Sequence, residues 1–220
     1  MTDAGNIVNA HRNSPLLKTA INCSFMSLPD GRPISLLANL RGIKDMDRVA
    51  GPDFMAEVFR KTSGTDLSHF FLGDTNELLE KLVKKINEKY DLKIAGTYSP
   101  VFGGWTEETG DDIVKRINDS RADFIWVALG GGKQEIWMNE NYGKLNKGIM
   151  TGVGAGFRFF TGDIKRAPVI FQKLGFEWLF RLFQQPGKMF KRYLSTLPFF
   201  IFYSIEELIS KKPDQLNNSN

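Results

Sequence analysis

Apolar and polar positions alternate in blocks from about residue 67 to residue 153. Short apolar runs bounded by glycine or polar residues predict strands at Leu67–Gly73, Leu92–Thr97, Asp123–Leu129 and Gly148–Val153. Between these runs, apolar residues recur at helical spacing, and the predicted helices are Asn76–Tyr90, Thr106–Ser120 and Lys133–Leu145. Strands that alternate with helices at this spacing are typical of right-handed βαβ units. We therefore predict an α/β fold with a mostly parallel sheet flanked by helices.

The first 65 residues are less regular. Their pattern predicts a strand at Ser24–Leu28 and three helices, each begun by proline, at Pro15–Ile21, Pro33–Leu40 and Pro52–Lys61. We divide the chain into an α/β core at residues 1–155, a basic helical appendage at residues 156–212 and a disordered tail at residues 213–220.

Positive charge is concentrated in the last third of the 220-residue chain. The net charge is +4, yet the segment from Arg158 to Ser195 alone carries eight Lys or Arg residues against Asp163 and Glu177. Because the same segment is dense in Phe, Leu and Trp, it suits an anionic lipid-linked ligand or a membrane surface. We expect peripheral membrane contact through six apolar residues near this segment. They are Phe190, Leu194, Leu197, Phe199, Phe200 and Phe202.

Several classes of protein and site are disfavoured by the sequence. There is no apolar run of 18 residues and no signal peptide, so we expect no transmembrane helix. A single cysteine, Cys23, fits a reducing cytoplasm, and we expect it to be buried. The isolated His11 and His69 show no metal-ligand spacing. No nucleic-acid motif is present, and whether the chain forms a homo-oligomer is left open by the sequence.

Three loops follow predicted strands, and ligands bind beyond the carboxyl ends of strands in open α/β sheets. Asp30 in Pro29-Asp30-Gly31 is either a general base or an ordinary turn aspartate. The segment Thr97–Trp105 either walls a sugar or base or is a packed loop. The third loop is either a phosphate-binding turn at a helix start or a flexible turn, and it consists of Gly130, Gly131, Gly132, Lys133, Gln134 and Glu135.

Five motifs in a shared order resemble the WecG/TagA/CpsF family of bacterial glycosyltransferases. Three of them are LPDG at Leu28–Gly31, RVAGPDFM at Arg48–Met55 and INDSRADFIWVALGGGKQEIWM at Ile117–Met138. The strongest are GVGAGFRFFTGDIKRAP at Gly152–Pro168 and LGFEWLFRLFQQPGKMFKRYL at Leu174–Leu194. The resemblance covers the chain from about Thr2 to Leu194.

The resemblance implies a Rossmann-like fold and an inverting, metal-independent transfer without a cofactor. A hexosamine-type sugar, N-acetylmannosamine or its uronic acid, would pass from a UDP-sugar to an undecaprenyl-diphosphate-linked saccharide. The step would serve cell-surface polysaccharides such as teichoic acid, capsule or exopolysaccharide, on the inner face of the cell membrane.

The resemblance also assigns roles to single residues. The catalytic residues implied are Asp30 as base and Thr2 as the active-site threonine, with the family's first strand preceding or overlapping Met1. Arg48 lies near the nucleotide, and the Gln-Glu pair falls on Gln134 and Glu135. The cations that close over the site are Arg181, Lys188, Lys191 and Arg192.

Four positions depart from the family's usual pattern. Gly132 replaces a proline, Arg158 replaces an aspartate, and Lys188 and Lys191 stand where arginines are common. Lysine keeps the charge but loses the bidentate geometry of arginine toward phosphate. The alternatives are a non-catalytic relative that binds anionic lipid through its basic segment and a nicotinamide-dependent oxidoreductase, which the missing GxGxxG disfavours.

Overall fold

The structure is a computed structural model that describes residues 1–44, 46–100 and 107–210, apart from the side chains of residues 107–109, 173, 174 and 188. In this part of the chain four strands form one parallel sheet: β1 (Ser68–Gly73), β2 (Lys93–Tyr98), β3 (Phe124–Ala128) and β4 (Ile149–Gly152). Their spatial order is β2-β1-β3-β4. The predicted Rossmann-like α/β fold is confirmed. The order reverses between β1 and β3, and such reversals open a crevice at the carboxyl ends of the strands.

Helices connect the strands as the sequence pattern predicts. The connecting helices are α5 (Asn76–Lys89), α6 (Glu107–Ser120) and α7 (Lys133–Asn141). Helix α7 is shorter than predicted and continues as a 3₁₀ turn at Tyr142–Lys144. The other described helices precede β1 or follow β4, and they are α1 (Ala4–Arg12), α2 (Pro15–Asn22), α3 (Arg32–Leu40), α4 (Gly51–Thr62), α8 (Gly156–Thr161), α9 (Val169–Leu174), α10 (Glu177–Gln184) and α11 (Pro186–Ile209).

Two apolar clusters cover the two faces of the sheet. Side chains alternate along a strand, so Phe71 of β1 joins one cluster while Phe70 joins the other. The first cluster packs against α4, α5 and α8 around Phe59 and Trp126, and the second packs against α6 and α7. The sheet is therefore covered on both faces, and its carboxyl edge is the part left for a ligand.

His69 is fully buried on the face of the sheet that carries the first apolar cluster, and two hydrogen bonds hold its ring. The indole nitrogen of Trp126 donates to Nδ1 at 3.1 Å, so Nε2 carries the proton and donates to Thr62 Oγ1 at 3.0 Å. Burial lowers the pKa of His69 to about 4. This histidine is a neutral packing residue.

The predicted strand at Ser24–Leu28 is wrong. The hydroxyls of Ser24 and Ser27 both donate to the Ile21 carbonyl oxygen at the end of α2, which holds the segment in a turn. Phe25 is fully exposed. Within the described residues the segment pairs with no strand, and Pro29, just after it, makes a parallel β-bridge with Thr2.

Cys23 is exposed, so the prediction that it is buried is also wrong. It is the C-cap of α2, and its N–H donates to Thr19 O at 2.9 Å. The buried positions of α2 are Leu17 and Ala20, and Cys23 lies beyond the last turn that contacts the core.

Helix α11 packs against α1 along one face. Met189 and Phe200 are buried on that face, which overturns the expectation that Phe200 is free to contact a membrane. Phe190, Leu194 and Phe202 are exposed, each with more than half of its surface accessible. None of the helices in the described ranges is both long and apolar enough to cross a membrane.

Candidate active site

A cavity of about 500 Å³ lies at the carboxyl ends of β3 and β4. Gly130 and Gly131 form its wall after β3, and the segment from Val153 to Gly156 forms its wall after β4. Helices α1 and α11 close the other side. The cavity therefore joins the α/β core to the basic carboxy-terminal helices.

Asp30 lines this cavity and is held by the backbone of its neighbours. The Asp30 N–H donates to Thr2 O at 2.9 Å, and the Thr2 N–H donates to Leu28 O at 2.9 Å. Val49 N–H adds a third bond of 2.9 Å, to Pro29 O. These bonds fix the loop through its backbone at the wall of the cavity, and no described residue donates a hydrogen bond to the Asp30 carboxylate.

The environment of Asp30 favours its protonated form more than water does. Burial and the nearby Asp3 carboxylate raise the pKa of Asp30 to about 6, against the opposing charge of Arg48. A carboxylate with this pKa is ionised at neutral pH and accepts a proton more readily than an exposed aspartate.

Thr2 contacts Asp30 through its backbone. Its side chain is buried, and the residue does not line the cavity, whereas its neighbours Met1 and Asp3 do. The structure thus brings the two residues assigned to catalysis side by side but presents only Asp30 to the cavity.

The three glycines after β3 all have positive φ, at 70°, 55° and 80°. Such values are accessible to glycine and strained for other residues. A side chain on Gly130 or Gly131 would meet no atom within 4 Å, whereas one on Gly132 would lie 2.9 Å from Leu17. A proline could not adopt the φ of Gly132, so this turn differs from the proline-containing turn usual in the resembling sequences.

Gln134 and Glu135 connect the two walls of the cavity. The Gln134 amide oxygen accepts the Gly154 N–H at 3.0 Å, and its nitrogen donates to Glu135 Oε1 at 2.8 Å. Burial raises the pKa of Glu135, with the Gln134 amide opposing it. Gln134 lines the cavity, but Glu135 lies behind it. The pair fixes the relative position of the loops after β3 and β4.

Arg192 reaches the cavity from α11 and pairs with Asp3. The Asp3 carboxylate has two tasks, because Oδ1 caps α1 by accepting the Asn6 N–H at 2.8 Å and Oδ2 accepts from Arg192. Gly5 makes room for this pair, since a side chain there would lie 3.1 Å from Asp3 Oδ1 and 3.2 Å from Arg192 Nη2.

Arg181 is the second cation that the appendage contributes to the cavity. Its guanidinium stacks on the Phe159 ring at 5.2 Å, and both residues line the cavity. The Arg181 Nε is buried, and no described group accepts its hydrogen. An anion in the cavity would satisfy this donor.

The predicted lysines are placed differently from the arginines. Lys133 and Lys191 are exposed and do not line the cavity, and the side chain of Lys188 is outside the described residues. Of the predicted loop at Thr97–Trp105, residues 101–105 are also outside them.

Arg48 belongs to an ion-pair network that holds α10 on the core. It pairs with Glu177 at 2.8 Å and with Asp53 at 3.7 Å, and Arg166 pairs with the same two carboxylates at 3.1 and 2.9 Å. Arg48 does not line the cavity, although its charge is felt by Asp30.

Arg158, the charge reversal noted in the sequence, has a charge partner in the fold. Its guanidinium donates two hydrogen bonds to Asp74, of 2.8 and 2.6 Å. Asp74 directly follows β1 and has a positive φ of 58°. The bidentate pair ties α8 to the carboxyl end of β1.

Sequence reasoning missed the contribution of α1. Asp3 and Arg12 line the cavity, along with Asn6, Asn9 and Asn13. Asp3 carries a local signal, because an aspartate before a helix is a typical N-cap. Arg12 carries none, since a cation in the last turn of a helix is common.

The fold and the site together define a class of protein. It is a Rossmann-like α/β protein with a cavity at the carboxyl ends of its strands, lined by the carboxylate of Asp30 and by Arg181 and Arg192. Among the described residues no three His, Cys, Asp or Glu side chains group as a metal site. The model of the Glycosyl transferase WecG/TagA/CpsF family matches residues 2–214, nearly the whole chain. The chain belongs to this family of glycosyltransferases, so it acts on a sugar donor and an acceptor.

Proposed function

We propose that the protein transfers a hexosamine-type sugar from a UDP-sugar to a saccharide linked to undecaprenyl diphosphate. The sugar is N-acetylmannosamine or its uronic acid, the anomeric configuration is inverted, and neither metal nor cofactor takes part. The observation that carries this proposal is that Asp30 lines the same cavity as Arg181 and Arg192. The family supplies the reaction type, and the finer assignment is our inference.

Asp30 acts as the general base in this reaction. The acceptor hydroxyl attacks the anomeric carbon, the bond from that carbon to the UDP oxygen breaks, and the hydroxyl proton passes to Asp30. A single displacement of this kind inverts the anomeric carbon. A pKa of about 6 leaves Asp30 ionised at neutral pH and able to accept the proton.

The arginines and the glycine loop stabilise the leaving group. Negative charge develops on the diphosphate as UDP departs, and fixed donors lower the energy of that charge most when they are already oriented. Arg181 offers its buried Nε, and Arg192 is held at the wall by Asp3. The open backbone at Gly130 and Gly131 allows a phosphate to approach closely.

The outer face of α11 supports a peripheral position on the membrane. Phe190, Leu194 and Phe202 are exposed on it, and Lys191 adds an exposed cation. Exposed apolar residues beside cations bind anionic bilayers by burial and by charge attraction together. This contact would hold the cavity near a lipid-linked acceptor in the synthesis of a cell-surface polysaccharide.

The test is a transfer assay with a panel of UDP-hexosamines and an undecaprenyl-diphosphate-linked N-acetylglucosamine acceptor. We expect a disaccharide product from one donor or a few, at a rate that EDTA leaves unchanged.

Two results would count against the proposal. If no UDP-sugar yields product while the protein still binds anionic vesicles, the non-catalytic alternative is favoured. If EDTA abolishes transfer and Mg²⁺ restores it, the metal-independent chemistry is wrong.

A further inference from the structure

The cavity continues as a groove between α1 and α11, and its far end holds an arginine that has no assigned role. Arg12 lines the cavity, and its guanidinium lies 3.4 Å from the centroid of the Phe199 ring on α11. Among the described residues Arg12 makes no ion pair with a carboxylate. Its stacked plane is fixed by Phe199 while its N–H donors remain free for a ligand.

The two ends of the groove are defined by two contacts between the same helices. Asp3 pairs with Arg192 at one end, and Arg12 stacks on Phe199 at the other. Both contacts advance along the two helices in the same direction, so α1 and α11 run side by side. Nine residues of α1 and seven of α11 separate the contacts, which corresponds to about 10–14 Å at 1.5 Å per residue.

Neutral polar side chains line the groove between these ends. They are Asn6 and Asn9 on α1 and Ser195 and Thr196 on α11. The hydroxyls of Ser195 and Thr196 both donate to the Arg192 carbonyl oxygen, so their oxygens are left to act as acceptors. Such a lining suits a sugar better than a second anion.

Exposed apolar residues run along the outer side of α11 from Phe190 onward, and they continue past the contact with Arg12. Ile201, Phe202 and Ile205 are each more than half exposed, in the turns that follow Phe199. From the Asp30 end outward, the groove therefore presents a carboxylate, neutral polar groups and a stacked arginine, and the exposed apolar residues of α11 lie beside it. A lipid-diphosphate saccharide has its sugar and diphosphate in the same order, with a hydrocarbon attached to the diphosphate.

We propose that this groove is the acceptor subsite and that Arg12 binds the acceptor's diphosphate. The inference rests on the proposed function and deepens it by separating the two diphosphates of the reaction. The donor's diphosphate lies at the glycine loop with Arg181 and Arg192, and the acceptor's lies about one sugar away at Arg12. One diphosphate is too short to reach both places.

Steady-state kinetics of Arg12→Met test the proposal, because methionine keeps an apolar stem on Phe199 without the charge. A hydrogen bond to a charged group contributes about 1.5–3 kcal/mol, so we expect the acceptor KM to rise about 10- to 100-fold. The donor KM and the kcat at saturating acceptor should change less than threefold. Arg12→Lys should recover part of the acceptor affinity. Lys18→Ala is the matched control, since Lys18 is an exposed cation on α2 that does not line the cavity.

A binding experiment separates this proposal from the proposed function. Calorimetry with farnesyl diphosphate should show binding to the wild-type protein that weakens at least tenfold in Arg12→Met, while UDP binding is unchanged. Inorganic diphosphate should bind more weakly than farnesyl diphosphate, because it lacks the hydrocarbon.

The outcomes are distinct. If the wild-type protein transfers no sugar but farnesyl diphosphate binding depends on Arg12, the proposed function fails and the lipid-diphosphate groove stands. If transfer occurs and Arg12→Met leaves the acceptor KM unchanged, or raises the donor KM instead, the groove is overturned.

Discussion

Asp3 and Asp30 are two carboxylates in one cavity, and their surroundings give them different tasks. Asp3 is fully engaged, because it caps α1 with one oxygen and holds Arg192 with the other. Asp30 is held by its backbone alone, and its pKa is raised to about 6 by burial and by Asp3. Only Asp30 is therefore suited to exchange a proton with a substrate. Asp3 places a negative charge near Asp30, and this charge helps to raise the pKa of Asp30.

Replacing Asp3 by Asn tests this division of tasks. Asparagine caps helices as well as aspartate does, so α1 should remain intact. Loss of the negative charge should lower the pKa of Asp30, since Asp3 raises it. A base works in its deprotonated form, so the acid limb of the kcat/KM profile for sugar transfer should move to lower pH. The control Asp66→Asn changes an exposed aspartate and should leave the limb in place. A limb that stays near pH 6 or moves upward in Asp3→Asn would rule out this role.

The sequence could predict Asp30 and could not predict Arg12 or the Asp3–Arg192 pair. An aspartate followed by glycine is visible in the chain, and the resembling motifs give it a role. The partners Asp3 and Arg192 are 189 positions apart, and nothing in the local pattern of either residue records the other. Contacts of this kind depend on how α1 and α11 pack together, and local sequence patterns do not predict that packing.

At the scale of elements, the turn before α7 determines how α2 meets the glycine loop. Gly132 is the residue before α7, and the space where its side chain would be is filled by Leu17 of α2. Leu17 is itself fully buried. The close approach of α2 to α7 thus requires a glycine here for two reasons, the positive φ and the lack of room.

Gly132→Ala and Gly130→Ala separate these two reasons. Both positions have a positive φ, which costs a residue with a side chain about 1–2 kcal/mol. Only Gly132→Ala also meets Leu17, so we expect it to lower the free energy of unfolding by about 1–3 kcal/mol more than Gly130→Ala does. Urea unfolding of the two variants measures the difference. Equal losses in both variants would show that Leu17 moves aside without cost.

Element prediction from sequence succeeded where a segment pairs or packs along its whole length. The strands β1 to β4 and the helices between them lie within a few residues of their predicted positions, because their apolar patterns match two buried faces of one sheet. The strand expected at Ser24–Leu28 failed because a strand needs a partner. The pattern of a single segment does not reveal whether one exists.

At the scale of the whole molecule, the basic carboxy-terminal helices and the α/β core build one cavity. The Arg48–Glu177 ion pair holds α10 on the core, the Arg166–Asp53 pair ties the segment before α9 to α4, and α11 packs against α1. Asp30 comes from the core, and Arg181 and Arg192 come from the appendage. The cationic segment noted in the sequence therefore contributes to a site as well as to a surface.

An unpaired, partly buried carboxylate lowers the stability of the folded protein. The pKa of Asp30 is raised from 3.8 to about 6, so the native state binds its proton more tightly than the unfolded chain does. Below pH 3.8 the carboxyl is protonated in both states, so the folded protein keeps its full stability. That stability is lost progressively as the pH rises through about 6 and the buried group ionises. A difference of this size corresponds to about 3 kcal/mol.

Asp30→Asn should therefore be more stable than the wild-type protein at pH 7.5, by up to about 3 kcal/mol. The advantage should shrink as the pH falls below about 6 and disappear below pH 3.8, where the wild-type carboxyl is protonated in the native and the unfolded state alike. Chemical unfolding at several pH values gives the difference, with Asp66→Asn as a variant expected to show no pH trend. An Asp30→Asn protein that is less stable than wild type at pH 7.5 would show that the carboxylate is well compensated.

The rate of sugar transfer by Asp30→Asn tests the central claim most directly. General base catalysis contributes about 10²- to 10⁴-fold, so kcat with a UDP-hexosamine and a lipid-diphosphate acceptor should fall by that factor. Binding of UDP, measured by calorimetry, should stay within threefold of wild type, and Asp66→Asn should transfer sugar at the wild-type rate. If Asp30→Asn retains a kcat within threefold of wild type, Asp30 is not the base and the account of this site is wrong.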